Sequence, residues 1–91
     1  MNLSVIIPTR NRAVLLNNTL DSILYQTLPQ NEFEVIVIDN GSKDDTNKVV
    51  DSFKTKISNL RYFFEEKPGL HVGRHRGLKE AQSDILVYAD D

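Results

Sequence analysis

The chain has 91 residues, 40% of them apolar, with no cysteine and a formal net charge of −2. This is one domain at most, globular rather than disordered in composition, and it excludes a disulfide scaffold, a thiolate metal site and a thiol nucleophile. The charge gives no case for nucleic acid as a partner, the apolar runs are far short of a membrane span, and no signal-peptide pattern opens the chain, so a cytoplasmic location is expected.

The first β-type run is Leu3-Ser4-Val5-Ile6-Ile7, which Pro8 is expected to stop. A helix follows, with Asn11 as its N-cap and Leu16, Leu20, Ile23, Leu24 and Thr27 recurring at three- and four-residue steps until Leu28-Pro29 closes it. Glu34-Val35-Ile36-Val37-Ile38 is the second run, ended by Asp39-Asn40-Gly41. Ser42 then caps a second helix, with Asp45 in a capping-box position, Asp44 favouring the dipole, and Val49, Val50, Phe53 and Ile57 as the buried stripe.

Leu60-Arg61-Tyr62-Phe63-Phe64 is the third run and Ile85-Leu86-Val87-Tyr88 the fourth. Between them a helix is expected over about residues 70–82. Gly69, Gly73, Gly77 and Ala81 bare one side of it, which serves either close packing on a sheet or room for a ligand. His71 and His75 have the i, i+4 spacing of a metal pair, but with no third ligand they read as structural or exposed.

Strand–helix alternation with nearly all-apolar strands predicts an α/β fold, an open, mostly parallel, Rossmann-like sheet with flanking helices, in a single domain over residues 1–91. In such a sheet the loops after the strands share one edge. That edge collects Pro8-Thr9-Arg10, Asp39-Asn40-Gly41-Ser42, Pro68-Gly69 and Asp90-Asp91. Asp39 stands where dinucleotide-binding folds place an acid on a ribose or base. Asp90 and Asp91 suit Mg2+ or Mn2+ bridging a diphosphate, and Arg10, Arg12 and Arg74 supply charge-assisted donors. Each has a plainer alternative: turn chemistry at Asp39, a solvated strand end at Asp90-Asp91, surface charge at the arginines. Neither a Gly-x-Gly-x-x-Gly loop nor a Walker loop is present.

Taken as a set, these segments resemble family 2 glycosyltransferases. The resemblance rests on Val5-Ile6-Ile7-Pro8-Thr9-Arg10-Asn11-Arg12, on Leu16-x-x-x-Leu20-x-Ser22-Ile23-x-x-Gln26, and on Glu34 through Ser42 with Asp44 and Thr46. It continues in Gly69-x-x-x-Gly73-Arg74-x-x-Gly77-Leu78-x-x-Ala81 and Asp84-Ile85-Leu86-Val87-x-x-Asp90-Asp91, covering nearly the whole chain. It implies the nucleotide-sugar-binding half of a GT-A fold, with strand order 3-2-1-4. It also implies an inverting transfer from a nucleotide diphosphate sugar, commonly a UDP-sugar, to the hydroxyl of an acceptor glycan or lipid-linked sugar.

By the same resemblance Pro8, Thr9 and Asp39 cradle the base, Gly41 and Arg74 lie near the nucleotide, and Asp90 and Asp91 meet ribose and metal. His75 stands where the family commonly has Asn. The general base is expected beyond residue 91, which leaves no catalytic residue to nominate here. A chain ending at Asp91 is therefore expected to be catalytically incompetent alone, which sugar transfer by the purified chain would overturn. It is also expected to self-associate through the outer edge of the fourth strand, visible as concentration-dependent sedimentation. A receiver-like or phosphoryl-transfer acidic site and a non-catalytic binding or assembly module are the competing readings.

Overall fold

The computed structural model describes residues 3–25, 29–66 and 70–89, with side chains in the last segment from residue 75 onward. Its strands are β1 (Leu3–Thr9), β2 (Phe33–Asp39), β3 (Leu60–Phe64) and β4 (Ile85–Tyr88); its helices are α1 (Ala13–Leu24), α2 (Thr46–Phe53) and α3 (Leu70–Glu80). All pairings are parallel and the order is β3-β2-β1-β4, as the resemblance implies. No described helix is long and apolar enough to cross a membrane.

Every residue of β2 is buried, because strands flank it on both edges and helices cover both faces. On one face Phe33, Val35 and Val37 join Ile7, Leu16 and Leu20 from β1 and α1 and Val50 and Phe53 from α2. On the other, Ile6, Ile36 and Ile38 form a smaller core with Phe63, Ala81 and Leu86 packed against it. Burying each such aliphatic side chain stabilises the fold by roughly 1.5–3 kcal/mol.

Local expectations and structure differ at several points. Pro8 does not stop β1. Ile6 O accepts from Ala89 N at 2.9 Å, on the β4 side, and the β1–β4 ladder ends at Ile6 opposite Tyr88. Alternate residues of a parallel strand bond to opposite neighbours, so Pro8 would next donate toward β4, past the end of that ladder. Its missing N–H costs nothing there. The expected stripe of the second helix outlasts the helix itself: α2 ends at Phe53, and Ile57 is buried through a turn in which its N–H bonds Phe53 O at 2.8 Å. A short 3-10 turn at Gln30–Glu32 has no signal in the apolar periodicity. The Gln30 side chain fixes it, accepting from Ser58 N at 2.7 Å and donating to Lys56 O at 2.9 Å.

Helix α3 lies on the face opposite α1 and α2. A Cβ added at Gly77 would stand 2.3 Å from Ile6 Cγ2, so here the bare helix side serves close packing on the sheet. At Gly73 only the helical backbone is described, and Gly69 lies outside the described residues.

One charged residue sits inside this layer. Glu34 is fully buried in β2, and its carboxylate accepts from Ser4 Oγ at 2.6 Å, Gln82 N at 2.7 Å and an Arg61 guanidinium nitrogen at 3.3 Å. The same nitrogen of Arg61 donates to Glu80 O at 2.8 Å. Arg61 and Arg76 also stack on the Phe63 ring, at 5.1 and 4.8 Å from its centroid. The end of α3 is thus tied to β1, β2 and β3 by a satisfied polar network.

The outer edge of β4 is apolar and open among the described residues: Ile85 is 60% exposed, and Val87 and Tyr88 are also exposed.

Candidate functional site

Thr9 and Asp39 are paired in register at the C-terminal ends of the two central strands. Both are buried, at 4% and 1% exposure. Asn40 N donates to Thr9 O at 2.9 Å, which carries the chain over the end of β1 before it turns. Gly41 takes a φ of +80°, a conformation glycine adopts without the steric cost of a Cβ. The turn swings Ser42 N–H back onto Asp39 Oδ1, at 2.8 Å. The other carboxylate oxygen, Oδ2, accepts from the Tyr62 hydroxyl at 2.5 Å. Burial, with the anionic Asp39 beside it, pushes the Tyr62 phenol well above its ordinary pKa.

The loops after β1 and β2 are interlocked. Asn11 was expected to cap α1, but it sits at a φ of +51°, where asparagine is among the few tolerated residues. Its N–H donates to Ser42 Oγ at 2.8 Å and its Oδ1 accepts from Lys43 N at 2.7 Å. The cap for α1 comes from the other loop, where Asp44 Oδ2 accepts from Ala13 N at 3.1 Å. Asp44 Oδ1 also accepts from Thr46 N at 3.1 Å and from the Thr46 hydroxyl. One carboxylate therefore serves the N-termini of both α1 and α2, where both dipoles favour negative charge. The expected Ser42–Asp45 capping box does not form, since Ser42 Oγ accepts from Asn11 and Asp45 makes no side-chain cap bond.

The Thr46 hydroxyl, with the backbone donors of Ala13 and Thr46, holds the Asp44 carboxyl below its ordinary pKa. A depressed carboxyl contributes stability that is complete above its unfolded value and is lost as pH falls through the folded one. Acid unfolding should therefore show a component from about pH 4 downward that Asp44→Asn lacks. At pH 7, Asp44→Ala should cost about 1 kcal/mol, the ordinary weight of a helix cap. Urea denaturation at several pH values reads both, and identical pH profiles for the two chains would refute the linkage.

Pro8 lies in β1 beside Thr9, Arg10 is exposed at the head of the loop, and Arg12 occupies the N-cap position of α1. Arg74 falls within α3, but its side chain lies outside the described residues, as do Asp90 and Asp91 entirely. Among the described residues no group of three or more His, Cys, Asp or Glu side chains could hold a metal. The structure thus brings Pro8, Thr9, Arg10, Asp39 and Gly41 to one edge. It adds Tyr62, which the strand-end motifs did not flag. Tyr62 and Asp39 sit two places apart in the β2–β3 register, where period-two alternation puts them on one face. A cavity of about 230 Å3 opens here, lined by Asp39, Ser42, Asn47, Tyr62 and Phe64 among others.

Known proteins share this architecture. The model of the glycosyl transferase family 2 matches residues 4–91. The glycosyltransferase AglE of Haloferax volcanii is 36% identical over 88 residues, covering 96% of this chain and 29% of its own length. Residues 1–349 of Staphylococcus aureus TarS, solved in complex with UDP-GlcNAc, superpose with a TM-score of 0.90 at 34% identity, over 99% of this chain and 26% of that one. A Pyrobaculum calidifontis mannosyltransferase in complex with GDP-Man and Mn2+ also gives 0.90, at 30% identity, over 98% and 27% of the two chains. The present chain spans less than a third of the length of each. With this match along nearly its whole sequence, and with the strand order β3-β2-β1-β4 and flanking helices, the chain belongs to glycosyl transferase family 2.

Proposed function

We propose that this chain binds the nucleotide of a sugar donor, a UDP-sugar, for transfer of the sugar to an acceptor hydroxyl by the protein of which this fold is the donor-binding part. The observation that carries the reading is Asp39. It is a buried carboxylate held between a backbone N–H and a phenol, beside Thr9, at the carboxyl ends of adjacent central strands. A carboxylate fixed in this way accepts a hydrogen bond from a base N–H. Solved relatives bound to UDP-GlcNAc and to GDP-Man with Mn2+ support a nucleotide sugar and a divalent ion.

For the ion we propose Asp90 and Asp91 as ligands, because hard oxygen donors suit Mg2+ or Mn2+. Such an ion offsets charge on the departing diphosphate. Arg10, Arg12 and Arg74 are proposed as phosphate donors, and Pro8 and Gly41 as the backbone walls of the base site. The open edge of β4, with Ile85, Val87 and Tyr88 exposed, is the surface proposed for pairing with a second copy; a single sedimentation coefficient at all concentrations would rule that out.

Titration calorimetry of the purified chain with UDP, with and without Mn2+, tests the binding. UDP should bind, Mn2+ should tighten it, and Asp39→Asn should weaken it by about tenfold or more. Heat-silent mixing with both UDP and GDP in the presence of Mn2+ would sink the reading.

A further inference from the structure

We propose that Tyr62 is a positioning residue for base recognition: its hydroxyl fixes the Asp39 carboxylate in the orientation that reads the donor base. This rests on the donor-binding reading above and adds to it the element that sets which base is accepted.

Asp39 is 1% exposed and sits on the last register position of β2. Its carboxylate has two oxygens, each with two lone-pair directions. Ser42 N–H takes one direction on Oδ1, and the Tyr62 hydroxyl takes one on Oδ2. The two donors approach from different elements, the turn after β2 and the neighbouring strand β3. Together they fix the rotation of the carboxylate about its terminal bond, a torsion that is otherwise broad. One lone pair remains on each oxygen, aimed by the protein rather than by solvent.

A base that presents an N–H to this acceptor is favoured, and one that presents a bare ring nitrogen meets lone pair against lone pair. Uracil offers N3–H, whereas cytosine offers an unprotonated N3 at the same place. The Tyr62 phenol, whose ionisation burial and Asp39 oppose, stays a donor throughout the ordinary pH range. Phe64, half exposed in the same cavity, keeps an apolar wall beside the carboxylate.

The test compares UDP and CDP binding by the whole chain and by Tyr62→Phe, with Mn2+ present. The ring remains and only the hydroxyl is lost, and far-UV circular dichroism with a thermal melt verifies the fold. The parent chain should prefer UDP to CDP, and Y62F should shrink that ratio by about tenfold, mainly through weaker UDP binding. A purely structural role for Tyr62 would weaken both nucleotides together and leave the ratio unchanged, which overturns the proposal. If Y62F does not fold, Tyr62→Leu and Asp39→Asn are compared at a temperature where each is folded; a UDP:CDP ratio that falls in Asp39→Asn but not in Tyr62→Leu likewise overturns it. If the parent chain binds neither of these nor GDP, the donor-binding reading itself has failed; if it binds GDP alone, that reading stands and the role of Tyr62 falls. If it binds UDP and CDP equally, that reading stands and the role of Tyr62 falls.

Discussion

Alanine at position 77 is expected to destabilise the protein, against what helix propensity alone would give. In an isolated helix the change from glycine to alanine gains roughly 1 kcal/mol. Here the new methyl would stand 2.3 Å from Ile6 Cγ2. Ile6 cannot yield cheaply, because it is fully buried in a central strand and its Cγ2 hangs directly from a β-branched carbon whose χ1 is restricted. Either Ile6 leaves its well or α3 lifts off the sheet, and overpacking of this kind costs about 1–3 kcal/mol, occasionally more. The net expectation is a loss of about 2 kcal/mol, or a fall in Tm on the order of 10 °C for a domain of this size. Valine at 77 should be worse. A double-mutant cycle with Ile6→Ala locates the cause: the pair should couple favourably. A Gly77→Ala protein as stable as its parent would mean that α3 does not press on β1 in this way.

Glu34→Ala should be the other severe change, costing about 2–4 kcal/mol in urea denaturation. Removing the carboxylate leaves Gln82 N–H and Ser4 Oγ without their acceptor inside the protein, and it leaves Arg61 without its buried counter-ion. The figure sits below the usual range for breaking a buried pair because Arg61 is one third exposed and also meets Glu80 at 4.0 Å. Since a domain of 91 residues has on the order of 5–14 kcal/mol in total, this is a large share. Glu34→Gln keeps the volume and one acceptor and should cost less than Glu34→Ala. Equal stability of Glu34→Ala and the parent would show that the network does not anchor the end of α3.

Both changes act at one seam, where α3 meets the sheet and carries Arg74. Loosening it should therefore also reach the proposed phosphate side of the site, whereas Tyr62→Phe acts on the base side alone. That separation makes stability and base preference independent readouts of the two ends of the crevice.

The element order, the parallel sheet, the buried positions Leu16 and Leu20 of α1 and Val50 and Phe53 of α2, and the gathering of Thr9 and Asp39 at one edge are all legible along the chain. Each follows from local periodicity: β-branched runs of about five residues, apolar positions at three- and four-residue steps, and turn residues between them. The strand order came from the family resemblance, because periodicity does not say which strands are neighbours. What local pattern could not reach are contacts between residues more than 20 positions apart. Asp44 lies close to the start of α2 in sequence, yet it also caps α1 at Ala13. Asn11 reads as a cap and instead clasps the opposite loop. Pro8 reads as a stop, and passes because β4 is short. Glu34 sits in an apolar run as an apparent exception until Ser4, Arg61 and Gln82 surround it. Tyr62 is an ordinary β-strand aromatic until β3 is set beside β2, which brings its hydroxyl to Asp39. Periodicity is a property of neighbours in the chain, and so it fixes the elements. The satisfaction of buried polar groups is a property of neighbours in space, and it came only when those elements were packed.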